Sequence, residues 1–283
     1  MTKGAGMLDA GVEHVRQRSR GAALVSFERK NGATRLVDLA QSGSAKAMLP
    51  RCHGPVPEVV FLNTSGGLTG GDLLSYRVEV GAGCRVLATT QTAERGYASL
   101  GEAARVTVQA QVGARGRLDW LPQETLIYED AHLDRRTEID LAGDAACLIA
   151  ETVVLGRQAM GEVPGRAQLL DHRMIRRAGR PVWAETFALN ADVLADPSPA
   201  LLGHARAFAV VALVAQGAED AVATLRALSK VDGSQGVVSG WDGRCVVRLM
   251  ATGSWALRLQ MAGILRVLTG RDLPRVWQGG GIA

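Results

Sequence analysis

Between residues 104 and 112 the chain reads ARVTVQAQV, in which Val106, Val108, Ala110 and Val112 alternate with Thr107, Gln109 and Gln111. A period of two is that of an extended strand with one face buried and one face wet. Similar runs succeed one another from about residue 22 to 190: ALVSF, RVEV, RVLATT, RLDWLP, TLIYED, TEIDL and ACLIAETVVL. Gly-rich turn signals separate them at GAGC (81–84), GARGR (113–117) and AGDAA (142–146). Short strands at such spacing predict an antiparallel sandwich, a barrel or a β-solenoid, and argue against βαβ units. No fixed sequence period marks a solenoid.

The last third has a different texture. ADPSP (195–199) breaks the pattern, and FAVVALVAQ (208–216) reads as a buried strand. AEDAVATLRAL (218–228) has an acidic start and apolar Val222, Leu225 and Leu228, which predicts a helix. GVVSGWDGRCVVRLM (236–250) predicts a hairpin about Asp242-Gly243. In WALRLQMAGILRVLTG (255–270), Leu257, Met261, Ile264, Leu265 and Leu268 share one helical face that ends at Gly270. The expectation is a mainly β body with about two α-helices in the C-terminal third, forming one domain over residues 21–283. Residues 1–20 are expected to be a basic, poorly ordered N-terminus on the strength of EHVRQRSRG (13–21).

Composition excludes several functions. The net charge is +4, with no Lys/Arg stripe carrying interleaved aromatics, so no nucleic acid is expected. No apolar run approaches the about 20 residues of a membrane span, and the first twenty residues lack a signal-like apolar segment. Cys52, Cys84, Cys147 and Cys245 stand alone. A cytoplasmic chain with reduced thiols and no membrane partner is the expectation.

LNTSGGLTGGDLLSY (62–76) places Gly66, Gly67, Gly70 and Gly71 between an apolar run and an alternating one. Such a cluster cradles a phosphate or lets the chain turn. A P-loop needs lysine after its last glycine, and here Asp72 follows, which would repel phosphate. Tight turns using φ > 0 are the favoured reading. The histidines, at 14, 53, 132, 172 and 204, have no metal-ligand spacing, and no G-x-S-x-G elbow is present. Glu151, Glu162 and Glu185 fall in or beside apolar runs, where a carboxylate must be paired or wet. Arg157 and Glu162 read first as a local ion pair or a turn cap. Alternatively they line a polar passage or an interaction surface.

Six segments, in order and spanning nearly the whole chain, together resemble the UreD (UreH) family of urease accessory proteins. They are LNTSGGLTGGD (62–72), TTQTAERGYAS (89–99), LDWLPQETLIYEDA (118–131), ETVVLGRQAMGE (151–162), RAFAVVALVA (206–215) and LPRVWQ (273–278). Gly96 departs from the pattern, which more often has a bulkier residue before the tyrosine matched by Tyr97. The resemblance implies a β-helix-like stack of strands with two helices. It also implies a non-enzymatic scaffold that binds apo-urease and recruits accessory proteins F and G. GTP would sit on the partner GTPase only, and nickel would be in transit through an internal water-filled tunnel, with no tightly bound cofactor. On that footing Asp72, Glu94, Glu151, Arg157 and Glu162 are candidates for a polar path. Gly66, Gly67, Gly70 and Gly71 shape a turn, while Arg275 and Trp277 are candidates for a partner interface. Two alternatives stay open: a hydrolase using Asp72 with Glu162 or His53, and a β-solenoid binding module without metal transfer.

Overall fold

The computed structural model describes residues 18–51 and 54–278. Most of the basic N-terminal segment, Cys52, His53 and the closing 279–283 lie outside the described residues. The chain first runs through β1 (Arg20–Lys30), β2 (Ala33–Gly43), β3 (Ala45–Met48), β4 (Glu58–Asn63), β5 (Leu73–Val80) and β6 (Arg85–Thr90). It continues through β7 (Glu94–Gly96), β8 (Ala104–Val112), β9 (Arg117–Trp120), β10 (Thr125–Ile127), β11 (His132–Leu141) and β12 (Ala146–Leu155). Then come β13 (Gln168–Arg177), β14 (Arg180–Leu189), α1 (Ala191–Ala195), β15 (Ala207–Val214), α2 (Ala221–Arg226), β16 (Ser234–Trp241), β17 (Arg244–Ala251) and α3 (Ser254–Thr269).

These strands form two sheets. In the first, β1, β5, β8, β11 and β13 lie side by side in parallel, with β2 and β14 antiparallel at the edges. In the second, β4, β6, β9 and β12 are parallel. β3 closes that sheet antiparallel at one end, and β15, β17 and β16 extend it antiparallel at the other. Of the three architectures the sequence leaves open, the solenoid is the one formed. Each coil takes one strand in each sheet. Leu73 lies beside Arg105, Arg105 beside Asp134 and Asp134 beside Leu170, so every coil has a different length. That inequality is why no period shows in the sequence.

At one corner the coils turn tightly and stack. Gly83 donates its N–H to the Ala114 carbonyl, Gly113 to Val80, and Ala142 to Val112. A Cβ on Gly113 would stand 2.6 Å from the Ala82 nitrogen, so the close stacking of these turns requires glycine there.

The inward phase of the alternation fills the space between the sheets. Val106, Val108, Ala110 and Val112 are buried there with Val78, Phe61, Trp120, Ile139 and Ile149. β12 and β15 are buried almost throughout, because α3 and α2 cover the other face of the second sheet. Strands covered on both faces read as continuous apolar runs instead of alternating ones. Leu257, Met261, Ile264, Leu265 and Leu268 make this second core with Leu249 and Val211. α3 ends at Gly270 in the left-handed conformation, φ 63°. The hairpin turns at Asp242 and Gly243, both at positive φ. Beyond the two expected helices there is a third, the one-turn α1, capped by Asn190 accepting the Val193 N–H.

Candidate functional site

Four of the family-like segments converge. The connections 64–72, 91–103, 121–131 and 156–167 all lead from the second sheet back to the first, and they stack at the end opposite the tight turns. Here the glycine cluster is a turn. Gly66, Gly67 and Gly71 have φ of 80°, 152° and 84°. Gly70 needs no such φ, but a Cβ there would lie 2.0 Å from Ser99 Oγ. Asp72 is buried, and its two oxygens accept the N–H groups of Ser19 at 2.7 Å and Thr69 at 2.8 Å. The loop's own carboxylate thus holds amide donors that a phosphate would need.

Glu94 lies beneath this loop. It accepts from Asn63 Nδ2 at 3.3 Å and from the Arg95 N–H at 3.1 Å. Burial pushes its carboxyl above the ordinary value; those two hydrogen bonds and the Arg95 charge oppose the rise, and Asp72 adds to it. Tyr76, buried against Phe61 and Trp120, is also pushed up, first by burial and then by the Glu94 charge.

Farther along the interior is a cluster that the sequence reading only touched at Glu151. β11 presents Arg135 and Thr137 inward, and β13 presents Asp171 and Arg173 beside them in register. Arg135 donates from Nε to Asp171 Oδ1 at 2.9 Å, from Nη2 to Oδ2 at 2.5 Å, and from Nη1 to Thr125 Oγ1 at 2.9 Å. Glu151 reaches across from β12. It accepts from Arg173 Nε at 2.6 Å, Thr137 Oγ1 at 2.7 Å and Trp120 Nε1 at 3.2 Å. Arg173 also donates to Asp171 and lies 3.7 Å from Glu185, whose carboxylate in turn accepts from Arg248 Nε at 2.8 Å. Burial pushes Glu151 up, but Arg135 and Arg173 outweigh it and hold the carboxyl at about 2. Burial pulls Arg135 down, and Asp171 and Glu151 more than reverse that. The signal was present in the sequence. In LDRRTEIDL and LLDHRMIRR, the charged residues Arg135, Asp171 and Arg173 occupy the inward phase set by Leu133, Ile139, Leu169 and Ile175.

The other candidates fall elsewhere. Arg157 and Glu162 form a local pair at the surface, with Arg157 Nε donating to Glu162 Oε2 at 2.6 Å and the guanidinium over the Tyr128 ring at 4.7 Å. Glu162 also accepts the Arg157 and Glu129 N–H groups, and Arg157 first, against burial, holds it at about 2. So this pair serves the loop and is not joined to the Glu151 cluster. Among the described residues Asp72 and Glu162 share no partner: the Asp72 oxygens accept backbone amides, and the Glu162 oxygens accept backbone amides and the Arg157 guanidinium, so the structure does not bring the two together as the acid–base pair of the hydrolase alternative; His53 lies outside the described residues. Trp277 is buried and donates its Nε1–H to the Leu121 carbonyl at 2.9 Å, with the Arg258 guanidinium 4.9 Å above the ring. The indole is thereby committed to the second core. Arg275 beside it is exposed.

Among the described residues no three His, Cys, Asp or Glu side chains are grouped to hold a metal ion. Cys84, Cys147 and Cys245 are buried, and burial pushes the Cys147 thiol up to about 12. No helix among them is long and apolar enough to cross a membrane.

A family profile described as UreD urease accessory protein matches residues 19–278. The urease accessory protein UreD of Cereibacter sphaeroides is 57% identical over 263 residues, covering 93% of this chain and 96% of that one. Its counterpart in Paracoccus denitrificans is 48% identical over 273 residues, 96% of each chain. That of Rhizobium leguminosarum is 40% identical over 263 residues, 92% of this chain and 96% of the relative.

Proposed function

The chain belongs to the UreD family of urease accessory proteins, and from that premise we propose that it is a scaffold delivering nickel to apo-urease along a polar path through its interior. It acts in urease maturation and is not an enzyme. Under this reading it binds apo-urease and recruits accessory proteins F and G in the cytoplasm, and GTP is bound and hydrolysed on the partner alone.

One observation carries the path: the Arg135–Glu151–Asp171–Arg173 group sealed between the sheets. Buried ion pairs are poor stabilisers, because desolvation offsets their attraction and well-packed apolar residues do as well. Four charges kept there point to a use beyond holding the sheets together. Carboxylates spread along the interior, at Asp72, Glu94, Glu151 and Asp171, suit passage. A dense His/Cys cluster would hold nickel too firmly to release it.

The test is co-expression of the tagged chain with urease and accessory proteins F and G, followed by co-purification and measurement of nickel per urease active site. The complex should be recovered with nickel in urease. Glu151→Gln, assayed below its melting transition, should keep the complex and lower nickel loading severalfold. Full nickel occupancy without this chain would sink the proposal. Full occupancy with Glu151→Gln would leave the binding module without metal transfer.

A further inference from the structure

A strand at the edge of a sheet carries free N–H and C=O groups that invite another strand to pair with it, and folded chains blunt such edges. Three of the four edges here are blunted. β2 has a register shift opposite Ser26 and Phe27 and carries Arg35 and Asp38. β14 has a register shift and carries Arg180, Pro181 and Glu185. β3 is only four residues long and includes Lys46. β16, the remaining edge, is SQGVVSGW and has none of these devices. It pairs with β17 without a shift, holds no proline and no charge, and leaves Val237 63% and Trp241 42% exposed. The Thr252 N–H donates to the Gly233 carbonyl, and bonded pairs alternate along an antiparallel ladder. Gln235, Val237, Ser239 and Trp241 therefore direct their backbone groups to β17, while Gly236, Val238 and Gly240 turn theirs to the free edge. Arg226 Nη2, donating to the Val238 carbonyl at 2.8 Å, fits that phase. Along this edge runs a groove of about 510 Å³, floored by Leu225, Leu228, Val247, Leu249 and Ile264. Exposed Arg226 and Lys230 are the charged groups in its wall, which holds no carboxylate.

We propose that this groove binds an extended, acidic segment of a partner protein, which joins the second sheet as a strand beside β16. Its backbone pairs with the free groups of Gly236, Val238 and Gly240, about 4.8 Å from β16. Alternate apolar side chains settle on the floor, and the acidic ones between them meet Arg226 and Lys230. Arg226 leaves the Val238 carbonyl to the incoming strand, and its exposed guanidinium stays hydrated as it moves. A second copy of this chain suits the edge less well. Pairing two β16 strands would bring the Arg226 and Lys230 groups of both copies together, with no carboxylate in either groove wall to meet them. The groove borders the second core, whereas the Glu151 cluster lies in the first, so the proposal stands apart from the nickel path.

A fluorescent octapeptide, Gly-Glu-Val-Glu-Val-Glu-Val-Gly, tests this by anisotropy against the purified full chain, with no nickel present. Saturable binding is expected, weakened at least tenfold when lysine replaces each glutamate. Only alternate residues of an added strand bond to the edge. Methylating the valine nitrogens and methylating the glutamate nitrogens should therefore differ, one probe losing binding and the other keeping it. In the chain, Lys230→Glu should weaken binding at least tenfold at an unchanged melting temperature. Lys30→Glu makes the same charge change on the exposed β1–β2 hairpin, at the other side of the first sheet, and should leave binding as it is. Absence of saturable binding overturns the proposal. So do equal effects of the two methylated probes, or an equal loss in Lys30→Glu, since either reduces the contact to net charge. A chain found dimeric by light scattering, with the probe shut out, gives the edge to a second copy and overturns the proposal too.

Discussion

Glu94 shows most plainly a residue kept at a cost. Its carboxyl is raised above the ordinary 4.5, chiefly by burial. The folded chain therefore binds that proton more tightly than the unfolded one. The contribution to stability is complete below 4.5 and is lost as pH rises through the folded value. Glu94→Gln keeps an acceptor for Asn63 and removes the charge, so it should melt higher than wild type at pH 8 and match it near pH 4. Thermal melts at the two pH values check this, and a lower melting temperature at pH 8 would contradict it. Glu151 has the opposite sign. Its carboxyl is held at about 2, so its support is complete above 4.5 and fades as pH falls toward 2. Partners, more than burial, decide between the two: Glu94 has an amide and a backbone N–H, whereas Glu151 has two guanidinium groups.

At the scale of elements, the strands were legible and their neighbours were not. Alternation in β8 gave away the inward face at Val106, Val108, Ala110 and Val112, and the apolar run of β15 marked a buried strand. Whether β5 pairs with β8 in parallel depends on what the intervening β6 and β7 do, and local periodicity carries no record of that. The same limit applies to the site. Arg135, Asp171 and Arg173 stand out as charges on an apolar phase, but their meeting with Glu151 depends on the facing sheet. The segment after α3, where the sequence offers Arg275 and Trp277 as partner-interface candidates, forms a strap over the second core. Arg271 pairs with buried Asp119, and Arg258 donates to the Val276 and Trp277 carbonyls. Trp277→Ala should therefore destabilise by about 3 kcal/mol or more through the cavity it leaves. Chemical denaturation measures that loss, and a cost under about 1 kcal/mol would contradict the strap. Deleting 272–283 would remove the same support, so lost partner binding in that truncation would report on folding.

Taken whole, the molecule has two cores on either side of one sheet, and its charged cluster lies in only the first. The glycine loop at its end is filled by its own Asp72. The purified chain should accordingly show no saturable heat with GTP or ATP in titration calorimetry, and tight binding of either would overturn the turn reading of Gly66–Gly71. The two ends of each coil also differ in kind. Turns at 81–84, 113–116 and 142–145 are locked to one another by carbonyl and amide, while the connectors at the far end differ in length from coil to coil. Growth of this protein over time, or a spliced-in epitope, is thus confined to a single rim: residues added there only lengthen a bow, whereas one added at the opposite seam would unpick every layer above it.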